Sequence, residues 1–241
     1  MWRTQEEQDM NKANRIYFTD SPYPNGHGIK EFKWSGRIDE DGQLWFDFHL
    51  VSEDYDVDDH HLSSVDEEDE TVSNWHSKVV WDNYQACTLS STYWGDNQGI
   101  LLDTTNAPFR FQELMDKGLV ADTLPLQDED DYDNLAFSVY VLGHDSCAGH
   151  RFVFSKTTDG MDLEWSGKIA LTYAGEDEFN HDFKIVVQNV IFDGFHYPKE
   201  WSQEAALEAF GSKIASLEAY EFVDMNPKSF QRNYKLVPKK L

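Results

Sequence analysis

The chain is short of cysteine and short of positive charge. Only Cys87 and Cys147 occur among its 241 residues, and neither belongs to a Cys-x-x-Cys pair. Two cysteines cannot staple a chain this long, and their spacing from histidine matches no structural zinc pattern, so a reducing compartment is expected. Lys and Arg number 20 against 45 Asp and Glu, a formal net charge of -25. Binding DNA, RNA or an anionic membrane requires cations that neutralise phosphates, so this balance argues against all three as direct partners. No apolar run approaches the ~20 residues of a spanning helix. The first residues, MWRTQEEQDMNK, lack the apolar segment of a signal peptide, and the expected location is cytoplasmic. Also missing are the Gly-x-Ser-x-Gly elbow and the glycine-rich loops that cradle phosphates. No catalytic residue, metal or cofactor is therefore assigned, and a non-enzymatic role is expected.

Core-forming residues are plentiful. Hydrophobic residues make up 40% of the chain and aromatics 15%, far above a disordered composition. The clearest pattern is an internal echo: EFKWSGRI at 31–38 returns as DLEWSGKI at 162–169. Phe32, Trp34, Gly36 and Ile38 alternate with Lys33, Ser35 and Arg37. In the second copy Leu163, Trp165, Gly167, Ile169, Leu171 and Tyr173 alternate with polar residues. A period of two predicts half-buried antiparallel strands. The shared glycine would permit a bulge or let a neighbouring ring lie across the backbone. Asp41-Gly42 marks a hairpin into a strand at 44–51. A partner strand is expected at 181–192, and further strands at 136–142, 151–154 and 234–237. GHDSCAGH at 143–150 reads as a turn.

Two helices stand out. The segment 108–119 has Pro108 in its first turn and Gly118 as a stop. The segment 202–220 has Ser202 as a cap and Glu204 in its first turn, with Leu207, Phe210, Ile214 and Leu217 as the core-facing stripe. Together these predict an α+β fold of two related β-rich units, each with antiparallel sheets and a flanking helix, arising by internal duplication. The units would cover 1–126, with an acidic loop at 52–70, and 135–241, with its helix near 202–220. Residues 127–134 would form an acidic linker, or a loop within one continuous sandwich.

The acidic loop reads SEDYDVDDHHLSSVDEEDE. Asp54, Asp56 and Asp58 have the spacing of the first ligands of a calcium loop, but Asp59 stands where glycine is needed and Val65 where glutamate is needed, so this is not an EF-hand. A looser cation site completed by Asp66 or Glu67 stays open. His60 and His61 would point to opposite faces of a strand, and His144 and His150 around Cys147 match no common zinc pattern. Trp81, Tyr84, Tyr93 and Trp94 could stack on sugars, though they read first as strand material.

What remains is the charge itself, repeated at 53–70, 128–133 and 176–178. Carboxylates arrayed on a folded surface can offer a basic groove a field comparable to that of DNA. The expectation is an acidic binding protein that occupies the basic nucleic-acid-binding surface of a nuclease or DNA-binding protein, as a toxin-immunity protein or phage anti-defence DNA mimic would. One patch would comprise Asp54, Asp56, Asp58, Asp59, Glu67, Glu68 and Asp69. The other would comprise Asp128, Asp130, Asp131 and Asp133, with Tyr55 and Tyr132 as aromatic anchors. The alternatives are a carbohydrate-binding or hydrolase module with a carboxylate-rich, calcium-dependent site, and an acidic domain with no dedicated partner.

Overall fold

A computed structural model describes residues 13–57, 73–92, 98–127, 130–158, 160–230 and 232–239. Its centre is a closed barrel of eight antiparallel strands. The echoed segments form two of them, β2 (His27–Ile38) and β9 (Met161–Ala170). Asp39–Gln43 turns the chain from β2 into β3 (Leu44–Ser52), with Gly42 in a left-handed conformation (φ 72°). β9 pairs β10 (His181–Val187), and β10 pairs β1 (Arg15–Phe18) through Ile16 opposite Ile185. β1 joins β2. On the other side β3 pairs β4 (Thr88–Ser90), β4 pairs β7 (Ser138–Tyr140), and β7 pairs β8 (His144–Lys156). β8 pairs β9 and completes the ring.

This overturns the two-unit α+β expectation. The strands of both presumed halves close one wall, joined where β4 pairs β7 and where β1 pairs β10, and their apolar faces share one interior. Trp34 and Trp165, the echoed tryptophans, are both fully buried. Trp34 lies 5.0 Å from Phe154, and Trp165 lies 4.7 Å from Phe152 and 5.7 Å from Phe48, centroid to centroid. Eight strands enclose just enough space for side chains to fill, which these rings do. Each such ring removes 150–250 Å² from water, worth ~5 kcal/mol before the entropy of ordering it.

The echoed glycines let rings approach. A methyl at Gly167 would stand 2.7 Å from the Phe183 ring, and one at Gly36 would collide with Phe195. Phe195 belongs to β11 (Phe192–His196), which adds to the outside of β2 in parallel and carries β13 (Tyr234–Pro238) and β12 (Tyr220–Asp224) beyond it. Two short strands complete the set: β5 (Ile100–Leu101) on β3, and β6 (Leu119–Ala121) on the second half of β8.

The helices are short. α1 (Lys78–Trp81) and α3 (Asp130–Asp133) are single turns. α2 (Phe111–Lys117) lies within the expected 108–119 and ends at Gly118, φ 66°. α4 (Gln203–Lys213) starts as expected, with Ser202 Oγ accepting the Ala205 N–H at 3.2 Å. It stops earlier than expected, because Ile214 turns extended and bridges to Phe109. Phe210 and Ile214 of the predicted stripe are buried and Leu217 packs partly against the core, whereas Leu207 is 45% exposed and Ala206 takes its place on the buried face.

Three strand expectations also change. Residues 144–150, read as a turn, are the first half of β8, and only 141–143 turn; a register shift between Ala148 and Arg151, with Gly149 at φ 66°, absorbs the polar sequence as a bulge. The strand expected over 181–192 breaks at Asn189 (φ 53°) into β10 and β11. β9 ends at Ala170, so Tyr173 is 67% exposed on a 3-10 turn instead of in the core.

Candidate functional site

The acidic runs lie far apart in sequence, and the barrel brings their described parts to one end. The link begins where β3 leaves the wall. Gln85 donates to Asp54 Oδ2 at 3.1 Å, and Asp56 is exposed. Tyr55 between them turns inward, 2% exposed, and its hydroxyl donates to the Val141 carbonyl at 3.1 Å. Val141 begins the β7–β8 turn. The other side of that turn meets the β9–β10 connection: the Tyr173 ring lies against Gly143, and the Tyr173 N–H donates to Asp145 Oδ1 at 3.2 Å. Asp145 is buried, and its second oxygen accepts the Leu142 N–H at 3.2 Å. Burial raises its pKa, with the two backbone donors opposing. Gly175 (φ 84°) then presents Glu176, Asp177 and Glu178 to solvent.

Two aromatic contacts attach the other runs. Tyr132 of α3 stacks on Phe179 at 5.8 Å, which sets α3 beside 176–178. Trp75, just beyond the long acidic loop, stacks on His181 at 4.2 Å, and His181 Nε2 lies 3.8 Å from Glu176 Oε2. Burial lowers the His181 pKa, against the pull of Glu176.

The sequence-selected residues thus divide. Asp54, Asp56, Tyr132 and Asp133 lie at this end, and Asp130 and Asp131 belong to α3. Tyr55 is corrected from surface anchor to core residue, packed 4.7 Å from His27 and 5.0 Å from Trp81. Asp58, Asp59, Glu67, Glu68, Asp69 and Asp128 lie outside the described residues, as do Asp66, His60, His61, Tyr93 and Trp94. Trp81, considered as a sugar platform, is fully buried. The two histidines around Cys147 diverge: His144 is exposed, whereas His150 is buried and its Nδ1 accepts the Trp165 indole N–H at 3.2 Å. Among the described residues no group of three or more His, Cys, Asp or Glu is placed to hold a metal ion.

Two further arrangements were not visible in the sequence. Glu31, His49 and Ser90 form a cross-strand row on β2, β3 and β4, with His49 Nδ1 2.9 Å from Ser90 Oγ and its Nε2 3.9 Å from Glu31. It resembles a hydrolytic triad in composition. Ser90 is fully buried and also accepts the Thr92 N–H at 3.1 Å, so its hydroxyl fastens a turn and is closed to a substrate.

The second is a groove of about 500 Å³ across the outer faces of β8, β9 and β10, bordered by Val120, Thr123 and Leu124. Register puts Arg151, Ser166 and Lys184 in one row, with Lys168 opposite Asp182 in a nearby row. Below it His150 is fully enclosed, and burial pushes its pKa down to about 3. With Nδ1 occupied as an acceptor, the imidazole is neutral and carries its proton on Nε2, 3.7 Å from Asp122 Oδ2. Alternation set Ser166 and Lys168 on the face opposite Trp165, but which strands would be neighbours was not readable from alternation.

Compared with protein-family models, curated proteins and solved structures, the chain matches none.

Proposed function

We propose that this is a non-enzymatic binding protein whose acidic barrel end docks on a basic, nucleic-acid-binding surface of a nuclease or DNA-binding protein, in the manner of a DNA mimic. The observation that carries this reading is the gathering of the described parts of three sequence-distant acidic runs at one end of a closed barrel. A rigid scaffold holds the charge in place before binding, so little ordering entropy opposes docking. The field would steer a cationic partner at a rate that falls as salt rises. Asp56, Asp133 and Asp177 are exposed and make no ion pair among the described residues, so their charge is available. The calcium-dependent carbohydrate alternative draws on Asp54 and Asp56 and on Asp58, Asp66 and Glu67, the last three outside the described residues, and no contact among the described residues favours it.

A cytoplasmic location accompanies the proposal. Both cysteines are free and buried, consistent with a compartment that keeps thiols reduced. Among the described residues no helix is long and apolar enough to cross a membrane.

The test is affinity capture from source lysate, eluted with duplex DNA at low salt, followed by association kinetics with the eluted protein. The reading requires a basic partner displaced by DNA, bound several-fold more slowly by the triple variant Asp56→Asn, Asp133→Asn, Asp177→Asn. A partner that DNA leaves in place, or an unchanged on-rate, would reject it.

A further inference from the structure

We propose that the groove over β8, β9 and β10 is a binding site for a phosphate group, carried by a small phosphorylated molecule or present as the free ion. It lies on the barrel wall, carries the opposite charge to the acidic end, and is independent of the function proposed above. Arg151, Lys168 and Lys184 line it against a single carboxylate, Asp182, so the lining charge is 3 − 1 = +2 in a chain of net charge -25. Lys168 is held by Asp182 at 2.8 Å, and Lys184 reaches Glu164 at 2.9 Å. Arg151 makes no ion pair among the described residues and is exposed.

The register supplies the geometry. Ser166 stands directly opposite Arg151 on one side and Lys184 on the other. Directly opposed Cβ atoms on adjacent strands are about 5 Å apart, so an oxyanion seated over the Ser166 hydroxyl is within reach of both long side chains. Thr19 and Thr123 add hydroxyls at the margin. A guanidinium, an ammonium and hydroxyl donors around one point suit a tetrahedral dianion, which accepts several charge-assisted hydrogen bonds at once. More distant negative charge does not forbid this, because at physiological ionic strength fields from exposed charges fade over about 8 Å. With Asp182 on Lys168 and Glu164 on Lys184 at contact, Arg151 is the cation that engages the anion first.

The experiment is calorimetric titration of the whole protein with inorganic phosphate, and separately with glycerol phosphate, at constant ionic strength. The expected result is saturable one-site binding at millimolar phosphate. Arg151→Gln should weaken it roughly tenfold, the loss expected for one charge-assisted pair. Lys184→Gln serves the same purpose if Arg151→Gln fails to fold, and Lys228→Gln, an exposed cation far along the chain, should leave binding unchanged. Tighter binding of the monoester identifies a phosphorylated small molecule, and equal binding identifies the free ion. Absence of saturable heat with either probe, or equal affinity in Arg151→Gln or Lys184→Gln, overturns the proposal.

Discussion

The two echoed tryptophans occupy matching places and are not equivalent. Trp165 gives its indole proton to His150, whereas the buried Trp34 Nε1 has no hydrogen-bond partner among the described residues. A buried donor without a partner costs about 1–3 kcal/mol. Trp34→Phe discards that donor along with some packing, while Trp165→Phe discards packing and also strands His150 Nδ1. Chemical unfolding should therefore find Trp165→Phe the more destabilising, by about 1–2 kcal/mol; the reverse order would mean that the Trp34 site is the better satisfied. His150 itself makes the fold acid-sensitive. Its folded pKa of about 3 lies below its ordinary 6.5, so the unfolded chain binds the extra proton. Stability from this group is complete above 6.5 and is lost as pH falls toward 3, by about 1.4 kcal/mol per unit inside that window. His49 and His181, also depressed mainly by burial, act in the same direction. Urea unfolding at a series of pH values should show His150→Asn with a flatter slope than the native chain across this window. At this scale the sequence was informative: alternation alone placed Trp34, Trp165 and their glycines on the inner face. Tyr55 was misplaced because it lies among carboxylates, and composition says nothing about a single side chain that turns back into the core.

Strands were more legible than their partners. β3, β9 and the 32–38 part of β2 show a period of two, since each has one face on the barrel interior and one outside. The same period would serve a sandwich, and the pairs that close the ring, β1 with β10 and β4 with β7, join residues distant in sequence. Nothing local encodes them, so two matching hairpins looked like two units. The start of β8 was missed for a different reason: Gly143, Asp145, Ser146 and Gly149 have turn chemistry, yet a bulge lets a strand carry them. The echoed glycine gives this level its test. Gly167→Ala and Gly36→Ala each force a methyl against an aromatic ring in a filled barrel, and overpacking of this kind costs about 1–3 kcal/mol. Gly42→Ala, whose Cβ would meet nothing within 4 Å, should cost only the strain of its positive φ, about 1 kcal/mol. Thermal melts showing Gly42→Ala as the worst of the three would mean that the rings move aside freely.

The whole molecule combines a barrel packed with aromatics and a surface of strong self-repulsion. At a net charge of -25, the compact state carries a cost that salt should relieve. The Debye length falls from ~30 Å at 0.01 M to ~8 Å at 0.15 M, so the melting temperature should rise over that range. The acidic end sharpens the expectation. Glu176 sits near His181, and Glu178 accepts from Asn180 at 3.0 Å, so these two have structural contacts. Asp56, Asp133 and Asp177 make no ion pair or side-chain hydrogen bond among the described residues, and each adds only repulsion. Neutralising all three to asparagine should therefore raise stability at low salt by several tenths to about 1 kcal/mol, with the gain shrinking as salt is added. A gain in stability together with slower capture of a basic partner would mean that these carboxylates are kept for binding at the expense of the fold, the trade expected of a functional surface. Loss of stability in the triple variant would instead make them part of what holds the barrel end together, and would remove the reason for reading that end as a surface poised to dock.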